Sequence, residues 1–112
     1  MKHLDLALQY MDIFFNSQNM EDLAPLLCAD FLFQGPLFQC HSAEDYIEAL
    51  RADPPVGFKY EIIHTFQSSS SVALFYLFSK PGIQVPMAQL FEFQNDKICR
   101  INLIFDSHAF TN

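Results

Sequence analysis

The stretch MAQLFEFQNDKICRINLIF, residues 87–105, alternates apolar and polar side chains on both sides of a polar centre at residues 94–97. Alternation with a period of two is typical of β-strands, so the stretch predicts an antiparallel hairpin. A three-residue loop at residues 95–97 gives cross-strand pairs of like character or opposite charge. These pairs are Phe93 with Cys99, Phe91 with Ile101, Gln89 with Leu103, Met87 with Phe105, Glu92 with Arg100, Leu90 with Asn102 and Ala88 with Ile104.

A two-residue loop at Asn95 and Asp96 is the alternative. It would place Phe91 opposite Arg100, because a slip of one residue turns every side chain to the other face of the sheet. We therefore predict the three-residue loop, with its left-handed position at Lys97 instead of the preferred glycine. The hairpin predicts a scaffold and indicates no reaction.

The composition predicts one domain, residues 1–112, with a large apolar interior. The chain has 112 residues, of which 51% are hydrophobic and 13 are Phe. So much apolar material on a small domain indicates a cavity, a partner subunit or both. The net charge is −7 without a cluster of Lys and Arg, which excludes the basic surface that nucleic-acid backbones require.

The cysteines and the hydropathy bear on location. Cys28, Cys40 and Cys99 are odd in number and lack CxxC spacing, so we predict free thiols that act as small core residues in a reducing compartment. No apolar run approaches the roughly 20 residues of a membrane span, and no signal-peptide pattern opens the chain. We expect a cytoplasmic protein without a membrane partner.

Helices come first along the chain and strands follow. Apolar periodicity predicts a helix over residues 3–16, a short helix capped by Asn19, and a third helix capped by Ser42. A short strand over residues 29–33 precedes the third helix, and strands over 58–67 and 72–79 precede the hairpin. This order is typical of an α+β fold, in which the helices pack on one face of an antiparallel sheet.

The strand over residues 72–79 is apolar on both faces. An antiparallel sheet usually leaves one face to water, so a second apolar face needs a cover. We predict a homodimer that forms through the outer face of the sheet.

Five segments, in this order, resemble the nuclear transport factor 2-like superfamily, and within it the SnoaL-like and ketosteroid-isomerase-like branch. They are NSQNMEDL at 16–23, LLCADF at 26–31, FQGP at 33–36, SAEDYI at 42–47, and FEF at 91–93 followed by KI at 97–98. The resemblance covers nearly the whole chain. It implies a cone, in which a strongly curved antiparallel sheet wraps around three N-terminal helices and encloses an apolar pocket, and it implies that dimers are common.

The catalytic residues of ketosteroid isomerases do not carry over. The general-base Asp falls on Phe33 or Gln34, neither of which abstracts a proton, and the oxyanion-stabilising Asp falls on Gln89. The phenol on the first helix falls on or near Met11, and Tyr10 is expected to point elsewhere. Isomerase activity by that mechanism is therefore not expected. Other enzymes of the superfamily use Asp and His pairs at different pocket positions, so the resemblance leaves open whether the protein is an enzyme.

Candidate acid/base residues are His64, in an apolar alternation, and Asp106, at the end of the last strand. For His64 the alternative is a structural histidine in the core or an interface, and for Asp106 it is a solvated strand end.

Gln89 shares a face with apolar residues and needs a partner, either a ligand or a side chain such as Tyr46. No metal site is predicted, because no His and Cys residues have zinc-like spacing, and no cofactor is predicted. The predicted pocket residues are Met11, Phe14, Phe31, Phe33, Tyr46, Met87, Gln89, Phe91, Ile101, Leu103 and Phe105.

Three functions remain open. The first is the binding of a small apolar or aromatic molecule in the pocket. The second is an isomerase, cyclase or dehydratase that uses His64 or Asp106. The third is a dimerisation module whose interior is filled by side chains.

Overall fold

The structure, a computed structural model, describes residues 2–110. The helices in that part of the chain are α1 (Lys2–Asn16), a first 3₁₀ helix (Met20–Leu26), α2 (Ala43–Ala52) and a second 3₁₀ helix (Ser107–Phe110). The strands are β1 (Leu27–Gln34), β2 (Gln39–Cys40), β3 (Lys59–Gln67), β4 (Ser71–Lys80), β5 (Ile83–Gln94) and β6 (Lys97–Ile104).

Side-chain caps begin two of the helices, as predicted. The side chain of Asn19 accepts a hydrogen bond of 3.1 Å from the backbone N–H of Glu21, and the Ser42 hydroxyl accepts one of 3.0 Å from Asp45. Such caps satisfy backbone donors that have no partner within the helix. The segment after Asn19 is a 3₁₀ helix that contains Pro25, and proline cannot supply the hydrogen bond that a longer α-helix needs.

The sheet has six strands in the order β2-β1-β6-β5-β4-β3. Strands β3 to β6 form an antiparallel meander, and β1 joins it parallel to β6. The predicted α+β cone fold is confirmed, with the helices against one face of the sheet, which we call the inner face. The sheet is mixed because of the β1–β6 pair, and strand direction cannot be read from the alternation of side chains.

The hairpin register is confirmed over most of its length. Phe91 pairs with Ile101, Gln89 with Leu103, Leu90 with Asn102, Ala88 with Ile104 and Glu92 with Arg100.

The predicted loop of the hairpin is wrong. Gln94 pairs with Lys97, so the turn has two residues, and Asn95 has the positive φ of 58°. Asn tolerates this conformation better than Lys. The register shifts after Glu92, so that Phe93 pairs with Ile98 and Cys99 is the additional residue of a bulge. A two-residue turn alone would place apolar side chains of β5 opposite polar side chains of β6. The additional residue in β6 shifts the register by one, so that side chains of like character pair again beyond Glu92. The predicted pair of Met87 with Phe105 does not form, because β6 ends at Ile104.

A second bulge, in β3, also changes the prediction. Tyr60 and Ile62 pair with Phe78 and Tyr76 on the inner face, but after the shift at residue 63 His64 pairs with Phe75. His64 and Phe66 therefore lie on the outer face, and they do not continue the inner alternation as expected.

The cysteines differ from the prediction as well. Cys28 on β1 and Cys99 on β6 form a disulfide bond, with their Cα atoms 4.9 Å apart, and Cys40 is a buried free thiol. Because β1 and β6 are neighbours only through the parallel pairing, the sequence alone gave no sign of this bond. The disulfide removes the free-thiol argument for a reducing compartment.

Within residues 2–110 no helix is long and apolar enough to cross a membrane. The cytoplasmic location stays a prediction.

Candidate ligand-binding cavity

A cavity of about 390 Å³ lies between the inner face of the sheet and the helices. This volume is within the range of about 300–1,000 Å³ that is common for small-molecule sites. The loops that follow β1 and α2, together with the second 3₁₀ helix, form its mouth. Most of its wall is apolar, and the larger apolar side chains in it are Phe14, Phe15, Phe33, Leu37, Phe38, Leu50, Phe58, Phe78, Met87, Leu103, Phe105 and Phe110.

Four polar side chains meet inside this cavity, and we call them the phenol–amide cluster: Tyr10, Tyr46, Tyr76 and Gln89. They come from α1, α2, β4 and β5 respectively, and each is at most 4% exposed. The Tyr10 and Tyr46 hydroxyls are hydrogen-bonded to each other, and the Tyr76 hydroxyl donates to Oε1 of Gln89 at 2.7 Å. The cluster thus joins both α-helices to the neighbouring strands β4 and β5.

Burial keeps the phenols of the cluster protonated. Burial raises the pKa of Tyr10 well above its ordinary value, and the neighbouring Tyr46 raises it further, while a hydrogen bond with Gln89 acts in the opposite direction. Burial likewise raises the pKa of Tyr46 and of Tyr76. At neutral pH all three hydroxyls are therefore neutral hydrogen-bond donors, since a phenolate would lose its hydration in this apolar site.

The cluster has five donor hydrogens, three phenolic and two amide, and its own hydrogen bonds use three of them. Tyr76 gives its hydrogen to Gln89, and the Gln89 amide group can bond to Tyr10. Tyr10 and Tyr46 supply two hydroxyl hydrogens but share one hydrogen bond. One phenolic hydrogen and one amide hydrogen therefore take no part in the bonds within the cluster.

The mouth of the cavity carries charge. Lys80, at the end of β4, lies with its Nζ atom 5.4 Å from the ring centre of Phe58 and 5.2 Å from that of Phe110. Asp53, which ends α2, also lies at the mouth and is exposed. Among the described residues that line the cavity, Asp53 is the one carboxylate.

The predicted pocket residues divide into two groups. Those that line the cavity are Phe14, Phe33, Tyr46, Met87, Gln89, Leu103 and Phe105. The other four are fully buried in the core and lie outside the lining: Met11, Phe31, Phe91 and Ile101.

Tyr10 and Tyr76 were not among the predicted pocket residues. Tyr10 was expected to point away, yet it lines the cavity while its neighbour Met11 does not. A signal was available, since Tyr10 lies four residues before Phe14 on the same helix face. Gln89 was expected to bond to a ligand or to a side chain such as Tyr46, and in the structure Tyr76 donates a hydrogen bond to Oε1 of Gln89.

Neither candidate acid/base residue reaches the cavity. His64 is exposed on the outer face, where its ring lies 6.2 Å from that of Phe66. Asp106 is exposed, and its carboxylate accepts a hydrogen bond of 3.0 Å from the backbone of His108, so it caps the second 3₁₀ helix. Of the two residues at the isomerase base position, Phe33 lines the cavity and Gln34 is exposed. No group of three metal-ligating side chains occurs within residues 2–110.

This fold and cavity define a class of protein. The family model of the SnoaL-like domain matches residues 7–101, and the chain belongs to that family. No curated protein is significantly similar to it in sequence.

Solved structures with the same fold are numerous. An NTF2-like protein of unknown function from Cytophaga hutchinsonii ATCC 33406 is 22% identical, with a TM-score of 0.84 over 98% of this chain and 95% of that one. A protein from Jannaschia sp. CCS1, described as a SnoaL-like polyketide cyclase, is 13% identical, with a TM-score of 0.82 over 97% and 88%. TerC, crystallised with polyporic acid, is 16% identical, with a TM-score of 0.84 over 98% and 95%. At these identities the likeness shows the fold.

Proposed function

We propose that the protein binds a small, largely apolar molecule in the cavity and holds a carbonyl or similar acceptor of that molecule at the phenol–amide cluster. One observation carries the proposal: two donor hydrogens of the cluster take no part in its internal hydrogen bonds, and the cluster lines an apolar cavity of about 390 Å³. Every buried side-chain nitrogen and oxygen in the described residues has a hydrogen-bond partner, so these two hydrogens are additional donor capacity. A ligand that brings an acceptor gains a hydrogen bond at the cluster, and a purely apolar ligand gains none.

The proposed function is binding without turnover. An isomerase or cyclase needs a base within hydrogen-bond reach of the atom that loses its proton. His64 and Asp106 lie outside the cavity lining, and Asp53, the carboxylate within it, is exposed at the mouth. The raised pKa of each cluster phenol favours donation over proton abstraction. The volume of the cavity argues against a purely structural module with a filled interior.

We also propose that two copies of the chain associate through the outer face of the sheet. The cross-strand pairs place three apolar side chains of the outer face in one row: Ile104, Ala88 and Phe75. The next row adds three more: Leu90, Ala73 and Phe66. Phe75 is 42% exposed, Phe66 57% and Ile104 59%. Apolar side chains contiguous across four strands are typical of an interface.

Two biphenyls of nearly the same shape test the binding proposal. 4-Acetylbiphenyl carries a carbonyl, and 4-ethylbiphenyl lacks it. We expect calorimetry to show tighter binding of the ketone, because only the ketone accepts a hydrogen bond from the cluster. In the Tyr10→Phe/Tyr46→Phe variant, the ketone should lose about five- to tenfold in affinity, as expected for one hydrogen bond between neutral groups. The ethyl compound should change less than twofold.

Tyr60→Phe is the matched control. Tyr60 lies on β3 outside the cavity lining, so removal of its hydroxyl should leave both affinities unchanged. If neither biphenyl binds, or if the double variant weakens both equally, the proposed role of the cluster is wrong.

A further inference from the structure

Lys80 belongs to the same inner strand face as the phenol–amide cluster. Residues two apart on a strand point to the same side, and Tyr76, Phe78 and Lys80 all line the cavity. Four residues of extended strand cover about 13 Å. The strand β4 therefore carries a hydrogen-bonding group at the inner end of the cavity and a cation at its mouth, at a fixed separation.

The aromatic rings hold the Lys80 ammonium group at the mouth. Phe58 follows the loop after α2, and Phe110 ends the second 3₁₀ helix, so the ammonium group lies near rings from two separate parts of the chain. Contacts of a cation with ring faces are favourable and restrict the position of the ammonium group. Lys80 is half-buried, which reduces its access to water.

No carboxylate neutralises this cation in the described part of the chain. The ion pairs there involve Lys2, Arg51 and Arg100, and Lys97 donates to the Pro25 carbonyl instead. The chain has a net charge of −7, so the charge of Lys80 at the cavity is opposite in sign to that of the whole chain. A partly desolvated cation is stabilised by an anion that enters with the ligand.

We infer that the ligand is an organic anion, an elongated apolar molecule with a carboxylate or an equivalent acid at one end and a hydrogen-bond acceptor at the other. The acid binds Lys80 at the mouth, and the acceptor binds the phenol–amide cluster. This inference rests on the proposed function and narrows its ligand class. Asp53 is exposed to water at the same mouth, so its repulsion of the acid is weakened by solvent and salt.

The test uses 4′-acetylbiphenyl-4-carboxylic acid and its primary amide, which have nearly the same shape and differ in charge. In calorimetry at low salt we expect the protein to bind the acid about tenfold more tightly than the amide. Lys80→Gln should abolish this preference by weakening the acid about tenfold, with less than a twofold change for the amide. Added salt should weaken the acid alone.

Two further variants separate charge from packing. Lys80→Arg keeps the charge and should retain the preference for the acid. Lys59→Gln removes an exposed lysine of β3 outside the cavity lining and should change neither affinity. The inference is overturned if acid and amide bind equally to the unmodified protein, or if Lys80→Gln weakens both equally.

Uncharged 4-acetylbiphenyl separates a failure of the anion specificity from a failure of the proposed function. If this ketone binds and the acid gains nothing, the anion specificity is wrong and the proposed function stands. If none of the three compounds binds, the proposed function fails and the inference fails with it.

Discussion

The hydroxyl of Tyr76 on β4 donates a hydrogen bond of 2.7 Å to Oε1 of Gln89 on the neighbouring strand β5, and both side chains are buried. Gln89 is 4% exposed and Tyr76 is 2% exposed. The bond fixes which end of the Gln89 amide is the acceptor, and thereby turns its N–H₂ group toward Tyr10 and the cavity. Because of this contact, the Gln89 side chain acts as a donor toward Tyr10.

Removal of the acceptor should destabilise the protein. Gln89→Leu leaves the buried Tyr76 hydroxyl without a partner, and we expect the free energy of unfolding in urea to fall by about 1–3 kcal/mol. Tyr76→Phe in the same background removes the orphaned hydroxyl and should restore part of that loss. A double-mutant cycle with simply additive costs would show that the two side chains are not coupled.

The inner faces of the hairpin could be predicted because period-two alternation decides them. Phe91 and Ile101 had to pair, since any slip would expose both side chains. The turn could not be predicted in the same way. A three-residue loop, and a two-residue turn with a bulge at Cys99, give the same pairs beyond Glu92, so the pattern does not distinguish them.

The positions of two candidate site residues, His64 and Gln89, could be predicted only in part from the sequence. One unpaired residue in β3 moves His64 from the inner face to the outer face, and nothing in the local alternation indicates where a bulge falls. Gln89 was identified because an amide among apolar residues on one face is conspicuous. Its partner Tyr76 was missed, because the phenol also fits an apolar strand as a core residue.

Alkaline pH should weaken the fold. The unfolded chain loses the protons of Tyr10, Tyr46 and Tyr76 near the ordinary pKa of 10.0, while burial raises the pKa of all three in the folded protein. Below pH 10.0 both states keep these protons and the stabilisation is complete. Above it the unfolded state binds fewer protons than the folded state, so the free energy of unfolding falls as pH rises.

The slope of that decline is measurable. Each tyrosine contributes about 1.4 kcal/mol per pH unit above the unfolded pKa. In urea unfolding at pH values from about 8 to 11, these tyrosines should contribute no slope below about pH 10 and a steep decline above it, and the Tyr10→Phe/Tyr46→Phe variant should show a shallower decline. Equal slopes in the two proteins would contradict the assignment of these phenols as buried donors.

The disulfide should contribute substantially to stability. Cys28 and Cys99 are separated by 71 residues, and a bond that closes a loop of this length restricts the unfolded chain. We expect Cys28→Ser/Cys99→Ser to lower the free energy of unfolding by about 2–4 kcal/mol. Thiol labelling provides an independent measurement. Without reductant the denatured protein should show one reactive thiol, that of Cys40, and a count of three would contradict the bond.

The outer face should determine the oligomeric state. We expect light scattering coupled to gel filtration to give the mass of a dimer, because Phe66, Phe75 and Ile104 would otherwise expose a continuous apolar surface to water. Phe75→Lys places a charge in the middle of that surface and should shift the protein to the monomer mass. Val56→Lys is the matched control, since Val56 is 77% exposed in the loop before β3, away from the outer face. A monomer mass for the unmodified chain, or an equal effect of the two lysine variants, would contradict the proposed interface.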